Sequence, residues 1–149
     1  MEEFKIIYIS FFSLIICQLI KFIFESLRYK SLKWNRLVNG AGGMPSAHAS
    51  FTFSLVTSVG LVEGFNSSLF AATLIISLIV CYDAMGVRFE SGKQAEVIND
   101  MAEVLEKDHK FRKLSFEHLK EQLGHKPFEV IMGMLLGVLV SVFFNLVVF

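Results

Sequence analysis

The sequence predicts an all-α fold: an integral membrane helical bundle of about four transmembrane helices, with amphipathic helices at the interface. Of its 149 residues, 54% are hydrophobic and the mean hydropathy is +0.57, too apolar for an ordinary soluble domain. Sixteen Phe and only two Pro suit long uninterrupted helices. Several apolar runs approach the roughly 20 residues that cross the hydrocarbon core. The length fits one membrane domain, residues 1–149.

The first span, about 4–24, is interrupted only by Lys5, Gln18 and Lys21. Acidic residues precede it and no small-residue cleavage site follows, so it is read as a retained helix and not a signal peptide. The second span, about 47–64, is weaker and carries Ser50, Thr52, Ser54, Thr57 and Ser58. Small hydroxylated residues suit a helix packed against other helices more than one bathed in lipid. The third, about 69–86, is the cleanest, and the fourth, about 128–149, contains Gly133, Gly137 and Asn145.

Residues 93–123 read as an amphipathic cytoplasmic segment. Val97, Ile98, Met101, Ala102 and Leu105 recur at helical spacing, with Glu96, Asp100, Glu103 and Glu106 opposite. A second amphipathic piece is expected over 114–123, after a charged turn at 107–113. Lys110–Leu114 is either a contact with anionic lipid or a solvated surface. Cys17 and Cys81 lie inside apolar runs and read as small buried hydrophobes, not a disulfide.

Four spans place both chain ends on one side of the bilayer. The opposite side collects every Lys and Arg except Lys5, which the positive-inside rule assigns to the cytoplasm. The expected location is therefore the inner (plasma) membrane. Membrane lipids are the expected partners. The net charge of zero creates no strong field for nucleic acid.

The same counting brings His48, Arg88 and His125 to one membrane face, with Lys21 and Arg28 at the end of the first span. Cations and helix N-termini neutralise phosphate oxygens. A histidine can attack phosphorus or protonate a leaving group. A carboxylate one turn away can fix the imidazole, and Glu129 lies four residues after His125. Asp83 is costly near a span end unless paired. Arg88 or Lys93 is the plain partner, and a part in the site or in ion binding with Asn99 is the sharper reading. His109 and His118 sit in charged surface and read as solvated.

Pro45-Ser46-Ala47-His48 resembles the PSGH motif of the type-2 phosphatidic acid phosphatase and vanadium haloperoxidase superfamily. His125-Lys-Pro-Phe-Glu129 resembles its final motif, and Lys21, six residues, then Arg28 resembles its first. Gly42-Gly-Met-Pro-Ser-Ala-His48, Tyr82-Asp-Ala-Met-Gly-Val-Arg88, Gly92-Lys-Gln-Ala-Glu-Val-Ile-Asn99 and Leu123-Gly-His-Lys-Pro-Phe-Glu-Val130 resemble the small divergent branch, over nearly the whole chain. The resemblance implies a phosphatase that needs no metal or other cofactor, with vanadate as a phosphate mimic. In it His125 is the nucleophile that becomes phosphohistidine, Glu129 orients it, and His48 protonates the leaving alkoxide. Lys21, Arg28, Arg88 and Ser46 bind phosphate, and the substrate is a lipid or polyprenyl phosphate.

This chain departs from the superfamily pattern at Ala47 for Gly, Tyr29 for Pro, Glu129 for Asp, and Leu119 where an Arg precedes the final His by six residues. These departures motivate a second reading: a catalytically degraded relative that binds a phosphate-bearing lipid or associates with itself. The Gly133, Gly137 and Ser141 stripe would suit a homo-oligomer. A small transporter built on Asp83, Glu63 and Asn145 is a third. A metallohydrolase built on His125 and Glu129 lacks an obvious third ligand.

Overall fold

The computed structural model describes residues 2–29, 43–107, 117–121 and 123–148. The described residues are helical apart from turns and one irregular strap. Most of the charged turn at 107–113, with His109 and the stretch Lys110–Leu114, lies outside the described residues.

Helix α1 spans Glu2–Tyr29, α2 Ala47–Glu63, α3 Ser68–Met85, α4 Val87–Lys107 and α5 Pro127–Phe143, which ends in a π-helical segment, Phe144–Val148. Phe4–Phe24, Ser68–Lys107 and Pro127–Val148 are long and apolar enough to cross a membrane. The remaining expected span, α2, has 17 residues and is roughly 25 Å long, the low end for a crossing.

Helix α2 is the centre of the bundle. Ala47, Ala49, Ser50, Ser54, Val56, Ser58, Val59 and Gly60 are all buried, with α1, α3 and α5 packed around it. Serine hydroxyls end helices cleanly here. Ser46 caps α2 by accepting from the Ala49 N–H, and Ser67 caps α3 by accepting from the Phe70 N–H at 3.1 Å.

Side-chain pairs fix the directions of the helices. Ser13 of α1 meets Ser50 hydroxyl to hydroxyl at 2.7 Å, and the Cys17 thiol points to the Pro45 carbonyl at 3.5 Å. The later part of α1 therefore lies beside the start of α2. Ser77 of α3 donates to the Thr52 carbonyl at 3.3 Å, and α3 also runs opposite to α2. Helix α5 runs parallel to α2. Gly133 packs on the Ser46 carbonyl and Gly137 on the Ser50 carbonyl, and the Ser58 and Ser141 hydroxyls meet at 2.8 Å. The ends of α1 and α3 thus gather with the starts of α2 and α5 at one end of the bundle.

That packing corrects the role expected for the small-residue stripe. A Cβ at Gly133 or Gly137 would collide with a backbone carbonyl of α2, and Ser141 is fully buried. The stripe is spent inside the chain, where small residues let two backbones approach. Asn145, weighed for a transport role, donates to Ser58 and to Ser141 in the same interface.

A second correction concerns 114–123. Among its described residues, Glu117–Glu121 and Leu123 form no helix. Asn99 of α4 hydrogen-bonds the backbone of Leu119 and holds this strap against the helix.

Candidate active site

The loop entering α2 carries a left-handed Gly43 (φ 87°), then Met44, Pro45 and the cap Ser46. Glycine takes that backbone conformation without steric cost. Ser46 is fully buried; its hydroxyl faces Ala49 and its N–H donates to the Glu129 carbonyl at 2.9 Å. His48 follows in the first turn, exposed between buried Ala47 and Ala49.

His125 precedes α5. Its N–H donates to the Ala84 carbonyl at 3.0 Å, which fastens it to the last turn of α3. His125 is 4% exposed, and its Nε2 is enclosed with no hydrogen-bond partner among the described residues. An unmade bond at a buried polar atom costs about 1–3 kcal/mol, so this nitrogen has unspent capacity for a ligand. The His125 and His48 rings stand 6.2 Å apart, centroid to centroid, at 78°.

Burial is the main cause that lowers the His125 pKa to about 4, reinforced by the positive charges of Lys21, His48 and Arg88. At neutral pH the ring is therefore neutral, the form a nucleophile requires. Lys21 is 2% exposed on α1, one turn after the cysteine that touches Pro45. Arg88 lies just after Gly86, where the chain turns from α3 into α4, and its Nε donates to Asp83 Oδ2 at 2.6 Å.

The structure thus brings Lys21, His48, Arg88 and His125 together, with Asp83 joined through Arg88. The plain reading of Asp83 holds. Asn99, the other half of the ion-site reading, is occupied with the strap, so Asp83 and Asn99 form no shared site. The Glu129 carboxylate accepts from the Lys126 N–H at 3.0 Å and closes the first turn of α5. Arg28 lies two turns beyond Lys21 on the same face of α1, and its side chain is outside the described residues. Glu63 is exposed at the far end of α2. Among the described residues, no three His, Cys, Asp or Glu side chains group to hold a metal ion.

Leu119 takes no part in this cluster. It is paired with Asn99, roughly 18 Å along α4 from that helix's first residue. The Ala84 carbonyl, which holds His125, went unseen in the sequence, since a backbone acceptor leaves no mark in residue type.

The model of the divergent PAP2 family matches residues 3–140. The chain belongs to the divergent PAP2 family. It is also 39% identical over 140 residues to the uncharacterized membrane protein YuiD of Bacillus subtilis (strain 168), covering 89% of this chain and 88% of that protein. No solved structure matches the chain. The family and the relative make this a phosphatase-related membrane protein.

Proposed function

We propose that this protein hydrolyses a lipid or polyprenyl phosphomonoester at the cytoplasmic face of the inner membrane, through its own histidines and without a metal. The observation that carries the reading is His125: buried, neutral and unpartnered at Nε2, opposite His48 and beside two cations.

In the first step Lys21 and Arg88, joined by Arg28, neutralise the phosphate oxygens. Nε2 of His125 attacks phosphorus, a P–N bond forms and the P–O ester bond breaks. His48 transfers its proton to the departing alkoxide, which leaves as an alcohol. In the second step His48 accepts a proton from water as the oxygen attacks phosphorus. The P–N bond breaks and inorganic phosphate leaves. Glu129 contributes by fixing the turn that follows His125. The apolar surroundings favour a substrate whose tails remain in the bilayer.

Orthovanadate binding and phosphate release from lipid phosphates test the reading, with wild type beside His125→Ala. Binding and release that vanish in the variant are expected. Folded wild type that neither binds vanadate nor releases phosphate overturns it.

A second reading is a catalytically degraded relative that binds a phosphate-bearing lipid. Leu119 supports it, because the superfamily's Arg is missing and the position is tied to Asn99. Lipid-phosphate binding that survives His125→Ala but not Arg88→Ala would favour it.

A further inference from the structure

The strap, described at Glu117–Glu121 and Leu123–Lys126, doubles back along α4 toward that helix's start. At its far end the Asn99 amide pairs with a single backbone residue in both senses. Its Oδ1 accepts from the Leu119 N–H at 2.9 Å and its Nδ2 donates to the Leu119 carbonyl at 2.9 Å. Nδ2 also donates to Glu121 Oε1 at 2.8 Å, with the His118 ring nitrogen Nδ1 at 3.1 Å. The uncharged asparagine amide imitates a neighbouring backbone toward Leu119, one donor to its carbonyl and one acceptor for its N–H, and spends its second donor on Glu121.

Closer to the site the contacts become backbone on backbone. The Glu121 carbonyl lies where a Cβ of Gly92 would be, and Gly124 lies against the Phe89 backbone. The last tie is the His125 N–H on the Ala84 carbonyl. Strap residues 119, 121, 124 and 125 thus meet residues 99, 92, 89 and 84 in reverse order. Gly92 and Ala95 are the buried residues of α4, and with Asn99 they share one face at helical spacing, the track on which the strap lies. A slip along that track would pull the His125 N–H off the Ala84 carbonyl.

We propose that Asn99 is a positioning residue for His125: by clamping Leu119 and Glu121 to α4 it sets the register of the strap, and so the place of the imidazole opposite His48. The inference rests on the reading of the His48–His125 pair as a phosphate site. Asn99 touches no phosphate in this account and acts through the strap alone.

The test uses the full chain in detergent or nanodiscs, with melting curves to confirm folding. Two quantities are read. One is the rate at which diethyl pyrocarbonate modifies His125 relative to exposed His48 in the same molecule, followed by mass spectrometry. The other is the Kd for orthovanadate. Asn99→Asp removes both donors and sets a carboxylate against Glu121. It should raise the His125/His48 modification ratio about tenfold by local opening of the strap. It should also weaken vanadate binding about tenfold or more, because small misplacements of reacting groups are costly. Asn99→Asp with Glu121→Gln restores a donor between the two side chains and should recover most of both. Gly92→Ala, which lifts the strap without altering Asn99, should act like Asn99→Asp. If Asn99→Asp does not fold, Asn99→Ser is read in the same way. A folded Asn99 variant with wild-type modification ratio and vanadate affinity overturns the proposal. Wild type that binds no vanadate overturns the phosphate reading alone, and the modification ratio still decides whether Asn99 places His125.

Discussion

The N–H of Ser46 donates to the carbonyl of Glu129 at 2.9 Å, and this single backbone bond joins the two motifs on which the site depends. One motif opens α2 and the other opens α5, 83 positions apart in the chain. Once the bond is made, Gly133 and Gly137 carry the two helices side by side. The same helix pair therefore carries both motifs, and its small-residued interface sets how closely they meet.

Gly137→Val tests that coupling. The branched side chain would press on the Ser50 carbonyl and the Ser54 N–H, both backbone groups that cannot swing aside. A loss of about 1–3 kcal/mol is expected from overpacking. Thermal melting measures it, and vanadate binding should fall in the same variant. A change of similar bulk at lipid-exposed Leu139, Leu139→Phe, should leave both unchanged.

Asp83 and Arg88 form a half-exposed pair at 2.6 Å. Such pairs contribute about 0–1 kcal/mol, so Asp83→Asn should barely move the melting temperature. Asp83 holds Nε, and in the proposed reaction the terminal guanidinium nitrogens would take the phosphate oxygens. Vanadate affinity should fall about threefold in Asp83→Asn through loss of that aim, and further in Arg88→Lys, which keeps the charge but loses the fork. Equal affinity in Arg88→Lys and wild type would show that geometry at this position does not matter.

Glu129 shows why part of the site was legible and part was not. The four-residue step from His125 to Glu129 has helical spacing in the sequence, but α5 begins only at Pro127, so the two never share a helix. Glu129 instead occupies the third helical position, from which a carboxylate reaches back to the N-cap N–H. Glu129→Ala should cost about 1 kcal/mol as a lost cap, and Glu129→Gln, which keeps an acceptor, clearly less. Denaturation of the two variants beside wild type measures the difference.

Hydropathy and run length located the helices because a bilayer demands about 20 apolar residues whatever their order. Counting those runs then placed Lys21, His48, Arg88 and His125 at one end. Residues 117–121 misled because their periodicity is local, whereas Asn99 decides their shape from 20 positions away. The Gly133–Gly137 stripe was visible, but a sequence cannot say whether the partner helix comes from the same chain. α2 supplied it, with its buried serines.

Stability should depend on pH through His125. In the folded protein its pKa is lowered to about 4, mainly by burial and then by Lys21, His48 and Arg88. The unfolded value is about 6.5. A lowered histidine pKa means the native state binds fewer protons than the unfolded state across that interval. The contribution to stability is fully present above about pH 6.5 and is lost as pH falls toward about 4. The two values imply a loss of about 3 kcal/mol over that window. Chemical denaturation between pH 7 and pH 4 should show this slope in wild type and a flatter one in His125→Gln, which has no proton to take up. The difference between the two slopes reports the loss of this ring, including its coupling to the neighbouring charges. Bound vanadate should oppose the loss, because an anion beside the ring favours its protonated form. Parallel slopes in the two proteins would mean that His125 is not held neutral, and the nucleophile would have to be sought elsewhere.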